Sequence, residues 1–340
     1  MSDMRPAVRK YAENIQAQRV QIIADLGFPS LAALQSAFTT NPRALIAHGD
    51  AIAHLLDLTH VIEAILTNPK EYKLPVEEEF LEKETELQEL LGHDFFLGFD
   101  AIEKAFTLKD GTKALEISPE ERQEAMEQLL TKLAEPDVIE FMKRLESDPT
   151  EASKWILVYR TRAEITDPST HKELPVSILS IRDVLDHDSR KGSNSTKLVY
   201  DFGRQSPWFA TDKKQGDTDA WASRPVQSGW MFVTKTVVDG TTAKKHPDQT
   251  PVLKRKAKAL GLEEGKYRRR TPQEVLYDTL VVYKHTNGRV RLLEQKYDWT
   301  EQATSSGHMV GVGGFGADGV GVSHDRPDDA SGWRGACLSR

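Results

Sequence analysis

The apolar residues of this chain change their spacing once, and that change constrains the fold more than any other feature. From Arg5 to Thr150 they return every three or four residues, whereas after Trp155 they gather in short β-branched runs. The first spacing lines one face of a helix and the second suits a strand, and neither pattern serves as the other. An α+β chain follows: an all-helical domain over residues 1–150 and a mixed α/β domain over residues 151–340, with the polar run ESDPTEAS at 146–153 as the link. At 340 residues the chain is also longer than one hydrophobic core usually grows.

Within the helical half the breaks carry start and stop chemistry. Pro6 suits a first turn because it has no N–H to leave unpaired, and the apolar stripe from Val8 to Leu26 stops at Gly27. Asn41 and Pro42 read as a cap ahead of the stripe from Leu45 to Leu66, and Pro75 opens the acidic helix VEEEFLEKETELQELLG. Ser118 and Glu121 spell a capping box, the hydroxyl accepting a first-turn N–H and the carboxylate reaching back to the Ser N–H. His48, His54 and His60 recur every six residues, which scatters them around a helix and argues against a metal site. No catalytic constellation appears, so this half is expected to bind a partner protein or to oligomerise.

Charge separates the halves as well. Residues 1–150 carry 28 acidic and 15 basic side chains, and residues 151–340 carry 24 and 30. The basic excess concentrates in PVLKRKAKALG and KYRRR, between Lys254 and Arg270, where Tyr267 alone supplies a stacking ring. That pattern predicts a solvated or docking surface, with a nucleic-acid-binding adaptor as the competing use. ILVYRTRAEI, VSILSI, TKLVYDF and GWMFVTKTVVDGTT read as strands, with turns at DPST and RKGSNS. Thr271, Pro272 and Glu274 cap a further helix that stops at Asn287-Gly288.

Several functional classes are excluded. One cysteine, Cys337, allows no internal disulfide, no CxxC redox pair and no thiolate zinc cage. No apolar stretch approaches the ~20 residues of a spanning helix, and MSDMRPAVRK lacks a signal-peptide core, which predicts a cytoplasmic protein with no membrane partner. Gly311, Gly313 and Gly316 spell GxGxxG, but VGVSHDRPDD follows and cannot start the helix a dinucleotide loop needs, so no cofactor is expected.

The tail at 303–340 is the most unusual segment. Nine of the 22 glycines lie between Gly307 and Gly335, in what reads as Gly-rich loops. His308, His324 and the aspartates Asp318, Asp325, Asp328 and Asp329 offer ligands for a metal-dependent enzyme, yet such residues also solvate polar turns, and no metal is expected. Ser323 and His324 are adjacent, so on a strand they face opposite ways, which argues against a nucleophile–base pair. From Val310 to Gly332 every residue can come from a codon ending in a pyrimidine, and Lys, Glu, Gln, Met and Trp are absent. Asparagine codons randomised at their adenines would leave that bias.

With a Trp-containing strand at Trp299, then Ser306-Gly307, a DxPD-like turn at Asp325 to Asp328 and a closing GxxLSR strand, the end of the chain resembles the variable region of a diversity-generating-retroelement target protein. The resemblance implies a C-type-lectin-like fold, shared with formylglycine-generating-enzyme-like domains, and a role in ligand recognition, not catalysis. It implies a scaffold of Trp299, Ser306, Gly307, Gly332, Trp333, Gly335 and Leu338. Ligand-facing side chains, for a protein or small-molecule ligand, are expected among Phe315, Asp318, Ser323, His324, Asp325, Arg326, Asp328, Asp329 and Ala330. The oxidase relative of that fold is set apart because its chemistry resembles one that needs a cysteine pair.

Overall fold

The apolar stripes near the amino terminus fold as α1 (Pro6–Asp25), α2 (Leu31–Thr40) and α3 (Gly49–Thr67), ahead of α4 (Pro75–Leu91). The computed structural model describes residues 6–40, 48–68, 72–186, 198–200, 207–214 and 217–340, so the cap expected at Asn41-Pro42 lies outside the described residues. Gly27 adopts φ 80° where α1 stops, a conformation that costs other residues energy. One apolar cluster joins Val8 and Ala12 to Ile65 and Leu74, and another joins Ile23 to Leu34, Ile52 and Leu55. The start of α1 therefore meets the end of α3 and the reverse, an antiparallel pair.

The chain divides into two compact units, Met1–Glu79 and Phe80–Arg340, so the division does not fall at the ESDPTEAS run. That run forms the end of α7 (Pro136–Ser147) and the short α8 (Pro149–Ala152), capped by Asp148. Glu151 within it is buried and accepts a hydrogen bond from Trp155 Nε1 at 3.0 Å. The physical reason is aromatic packing. Phe80 from α4, Phe96, Phe99 from α5 (Phe99–Ala105) and Tyr159 surround Trp230, with ring centroids 5.3–6.0 Å from it. Phe141 of α7 meets Trp155 and Phe232 edge-on at 5.0 and 5.2 Å. Helical periodicity shows that a face must be buried, but not which element covers it.

These aromatics lie on a three-stranded sheet, ordered β1 (Phe96–Leu97), β2 (Trp155–Arg160), β6 (Gly229–Thr234), with β2 and β6 antiparallel. All six β2 residues are buried, so WILVYR shows no alternation. Beyond β2 come the small hairpin β3 (Ile165–Thr166) and β4 (Glu173–Leu174). VSILSI, expected as a strand, turns helical at α9 (Ile178–Ser180) and continues as a π-helical stretch to Asp186. Ser177 and Ser180 cap each other's backbone N–H at 2.9 and 3.1 Å, local bonding that overrides the β-branched composition. The RKGSNS turn and most of TKLVYDF lie outside the described residues.

The second sheet has five strands, ordered β10 (Arg334–Gly335), β7 (Tyr297–Ala303), β8 (Met309–Gly316), β9 (Gly319–Asp325), β5 (Val199–Tyr200). The tail expected as Gly-rich loops is thus largely the β8–β9 hairpin. Two helices precede this sheet's long strands, α10 (His246–Ala259) and α11 (Pro272–His285). The α11 cap forms as expected: Thr271 Oγ1 accepts from Glu274 N, and Glu274 Oε2 accepts from Thr271 N at 2.8 Å. Finally the chain end returns to β6, where Phe232 N donates to Arg340 O at 2.9 Å and Arg340 N to Phe232 O at 2.8 Å. The structure is accordingly mixed α and β, and among the described residues no helix is long and apolar enough to cross a membrane.

Candidate ligand-binding surface

The tail hairpin rests on buried charge. Arg160 of β2 binds Asp278 of α11 through Nε and Nη2, at 3.0 and 2.8 Å, and Glu274 at 2.6 Å. Arg270 reaches Asp278 at 2.9 Å and Asp298 of β7 at 3.0 Å, and all five side chains are fully buried. Asp298 also accepts from Cys337 N at 2.8 Å, tying the last strand to β7. Burial alone would raise the Glu274 carboxyl, but the Arg160 and Arg268 cations overcome it and hold it at about 2. Burial pushes the Cys337 thiol up to about 12, which leaves it protonated and unreactive at neutral pH. Arg269 is spent on Trp299 O and His246 O at 2.8 and 3.0 Å. The arginines of KYRRR are therefore structural, and the basic surface expected from Lys254 to Arg270 is reduced to its lysines and Arg255.

Above this layer two glycines of the hairpin, Gly314 and Gly321, have a common cause. Tyr297 of β7 lies across the β8–β9 hairpin, and a Cβ added at Gly314 or Gly321 would stand 2.6 or 2.7 Å from its hydroxyl oxygen. Gly313 is closed to a side chain by the backbone of Lys296 and Tyr297. Val310, Val312, Val320 and Val322 fill the core of the same hairpin. Gly314 and Gly321 thus form a slot for the Tyr297 ring.

A second clamp fixes the turn after β9. Arg334, 13% exposed, pairs with Asp325 at 2.7 Å and with Asp329, and its guanidinium lies over the Trp299 ring at 5.9 Å. Asp329 N donates to Arg326 O at 3.0 Å, His246 N to Pro327 O at 2.9 Å and Ala243 N to Ser331 O at 3.1 Å. His246 itself bonds Thr300 O through Nε2 at 3.0 Å, and burial, with the Arg269 charge, lowers its imidazole to about 4. The turn backbone is held at every second or third residue, while Arg326, Asp328 and Ala330 stay exposed between the anchors.

At the other side of the hairpin two histidines meet. His308 Nδ1 and His324 Nδ1 are 3.0 Å apart, with the rings stacked at 5.1 Å, and Trp208 meets His324 edge-on at 4.5 Å. Burial first, then the neighbouring His308, lowers the pKa of His324. Asp212 is occupied by Trp221 Nε1 at 2.7 Å and by the Ser305 backbone N–H at 3.2 Å.

The structure sorts the expected ligand-facing residues into two groups. His324, Arg326, Asp328 and Ala330 are exposed. Phe315 is not: its ring is fully buried, 4.8 Å from Tyr283 and beneath Arg291 at 5.5 Å, because it fills the space over α11. Asp325 and Asp329 are committed to Arg334. Ser323 is half-buried on the Tyr297 face, opposite in direction to His324, so no nucleophile–base pair forms. Asp318 is exposed at the hairpin tip, about 20 Å along the strand from His324. Trp333, expected in the scaffold, is instead 61% exposed, and it is its backbone carbonyl, accepting from Tyr297 N at 2.8 Å, that joins the frame. Sequence reasoning missed Trp333 because a tryptophan beside a conforming GxxLSR end reads as core; flanking Gly332 and Arg334 were the available hint. Among the described residues no group of three or more His, Cys, Asp or Glu side chains is placed to hold a metal ion. Comparison with family models, curated proteins and solved structures finds no match to this chain.

Proposed function

We propose that this chain is a ligand-recognition protein whose carboxy-terminal surface, on a C-type-lectin-like domain, is diversified by a retroelement. The observation that carries the reading is the alternation of anchored and exposed residues from His324 to Trp333. Asp325, Asp329 and Arg334 hold the backbone, while His324, Arg326, Asp328, Ala330 and Trp333 contribute little to the core. Side chains so arranged can change without cost to folding, which is what a recognition surface needs and a catalytic site does not tolerate. A chain end that returns to pair with β6 supports the proposed architecture.

The pyrimidine-codon bias is weaker support than it first looks, since the valines and glycines of the hairpin have structural causes. Its weight moves to the exposed positions. His, Arg, Asp and Ala can each arise from an asparagine codon ending in a pyrimidine by changes at its two adenines, whereas Trp cannot. Trp333 would then be a constant aromatic anchor beside four variable positions, the kind of residue that dominates binding energy. Sequencing the DNA flanking the gene tests this. The expected result is a near-copy of the tail-coding bases beside a reverse-transcriptase frame, differing at codons 324, 326, 328 and 330 where the copy carries adenine, and identical at codon 333. A locus without such a copy overturns diversification.

A further inference from the structure

The two imidazoles at the hairpin's edge come from its two arms. His308 precedes β8, and His324 in β9 is paired with Val310. Their Nδ1 atoms are 3.0 Å apart. Two nitrogens that each bind one ion at about 2.0–2.1 Å, with an angle at the ion between a right angle and a tetrahedral one, stand about 2.9–3.4 Å apart. The pair already has that separation. It is also preorganised: Thr304 Oγ1 accepts from His308 N at 3.1 Å, and the Met309–Asp325 and Val310–His324 pairings fix the backbone on both sides.

We propose that His308 and His324 form a bidentate site for a divalent transition cation of the imidazole-preferring class, copper(II), nickel(II) or zinc(II). Without the cation one ring donates its Nδ1 proton to the other ring's lone pair. On binding, the donating ring gives its Nδ1 proton to solvent and takes one up at Nε2, so that both Nδ1 lone pairs go to the ion, each ring carries its one proton on Nε2, and the neutral pair releases no net proton. Copper(II) binds tightest of the three, following the general order for nitrogen ligands. Magnesium and calcium do not bind, because they require oxygen ligands that the pair lacks. Among the described residues no third side chain completes the set, so the remaining coordination positions are open to water or to a donor atom of a bound ligand. The site stands on this geometry alone and does not depend on retroelement diversification.

The test is titration of the full chain with copper(II), followed by tryptophan fluorescence and electron spin resonance. Trp208 lies 4.5 Å from His324, so the bound paramagnetic ion quenches it. The expected result is saturation at one equivalent with a two-nitrogen resonance signature. Either His308→Ala or His324→Ala, with circular dichroism unchanged, weakens binding by at least about 100-fold, because loss of a direct ligand costs no less than loss of an outer-shell partner. Trp208→Phe removes that quenching and leaves the affinity in place. Unchanged affinity in both histidine variants, or no saturable binding by the native chain, overturns the proposal.

Discussion

Replacing Gly321 by alanine isolates the contact between the hairpin and the Tyr297 ring. No left-handed backbone is involved at this position, so the cost is steric. The new methyl would stand 2.7 Å from the Tyr297 hydroxyl oxygen and 3.1 Å from Gly313 O. The hydroxyl sits at the end of a rigid ring, which must move as a whole, and overpacking of this kind costs about 1–3 kcal/mol. In a unit of this size each kcal/mol lowers the melting temperature by about 2–4 °C, so a fall of about 2–12 °C is expected. In a Tyr297→Ala background the ring is gone, and the same substitution is expected to be neutral or to stabilise by about 0.4–1 kcal/mol through the unfolded chain. The coupling between the two positions is therefore at least about 1 kcal/mol in a double-mutant cycle. Gly332→Ala, which meets nothing within 4 Å, is the control and is expected to cost nothing measurable. Urea denaturation of the wild type, the two single variants, the double variant and the control measures all of these terms. Equal losses from Gly321→Ala in both backgrounds, or a loss of the same size from Gly332→Ala, would refute the ring-slot account.

Asp278→Ala leaves the buried Arg160 and Arg270 without their shared carboxylate and is expected to cost about 3–5 kcal/mol, read as a fall in the urea midpoint. Acid should lower stability over two pH windows. His246 has its folded pKa lowered from 6.5 to about 4, so the stability it contributes is complete above pH 6.5 and lost as pH falls to 4. Glu274, lowered from 4.5 to about 2, loses its contribution over that lower window. Urea midpoints against pH will show the upper window flattened in His246→Gln, and a Gln variant with an unaltered profile would contradict the assignment. Trp333→Ala should leave stability within about 0.5 kcal/mol while weakening any ligand held by the tail by about 2 kcal/mol or more, a difference calorimetry resolves.

What the sequence makes legible follows from how local each interaction is. The Thr271 cap of α11 forms as read, because both of its hydrogen bonds close within four residues. Ser118 also caps α6 (Pro119–Leu133), accepting from Glu121 N at 3.1 Å. Glu121, however, does not reach back: its Oε1 accepts from Tyr159 Oη at 2.8 Å, Thr161 Oγ1 at 2.6 Å and Arg162 N at 2.9 Å, partners some forty residues away that no local pattern contains. The Arg268 to Arg270 run was misleading for the same reason, since its carboxylates come from α11 and β7. The glycines of the tail were visible as a composition, but the Tyr297 ring that leaves no room for a side chain at Gly314 and Gly321 belongs to a different strand. Division of the chain at Glu79 was hidden by helices that share one period yet cover different surfaces.

In this tail a fixed frame carries a replaceable surface. Two libraries of the full chain, sorted by resistance to proteolysis, test it directly: one randomised at His324, Arg326, Asp328, Ala330 and Trp333, the other at Tyr297, Asp298, Gly313, Gly321 and Arg334. The account predicts that most members of the first library remain folded and that few of the second do. Equal survival in the two libraries, or collapse of the first, would contradict it.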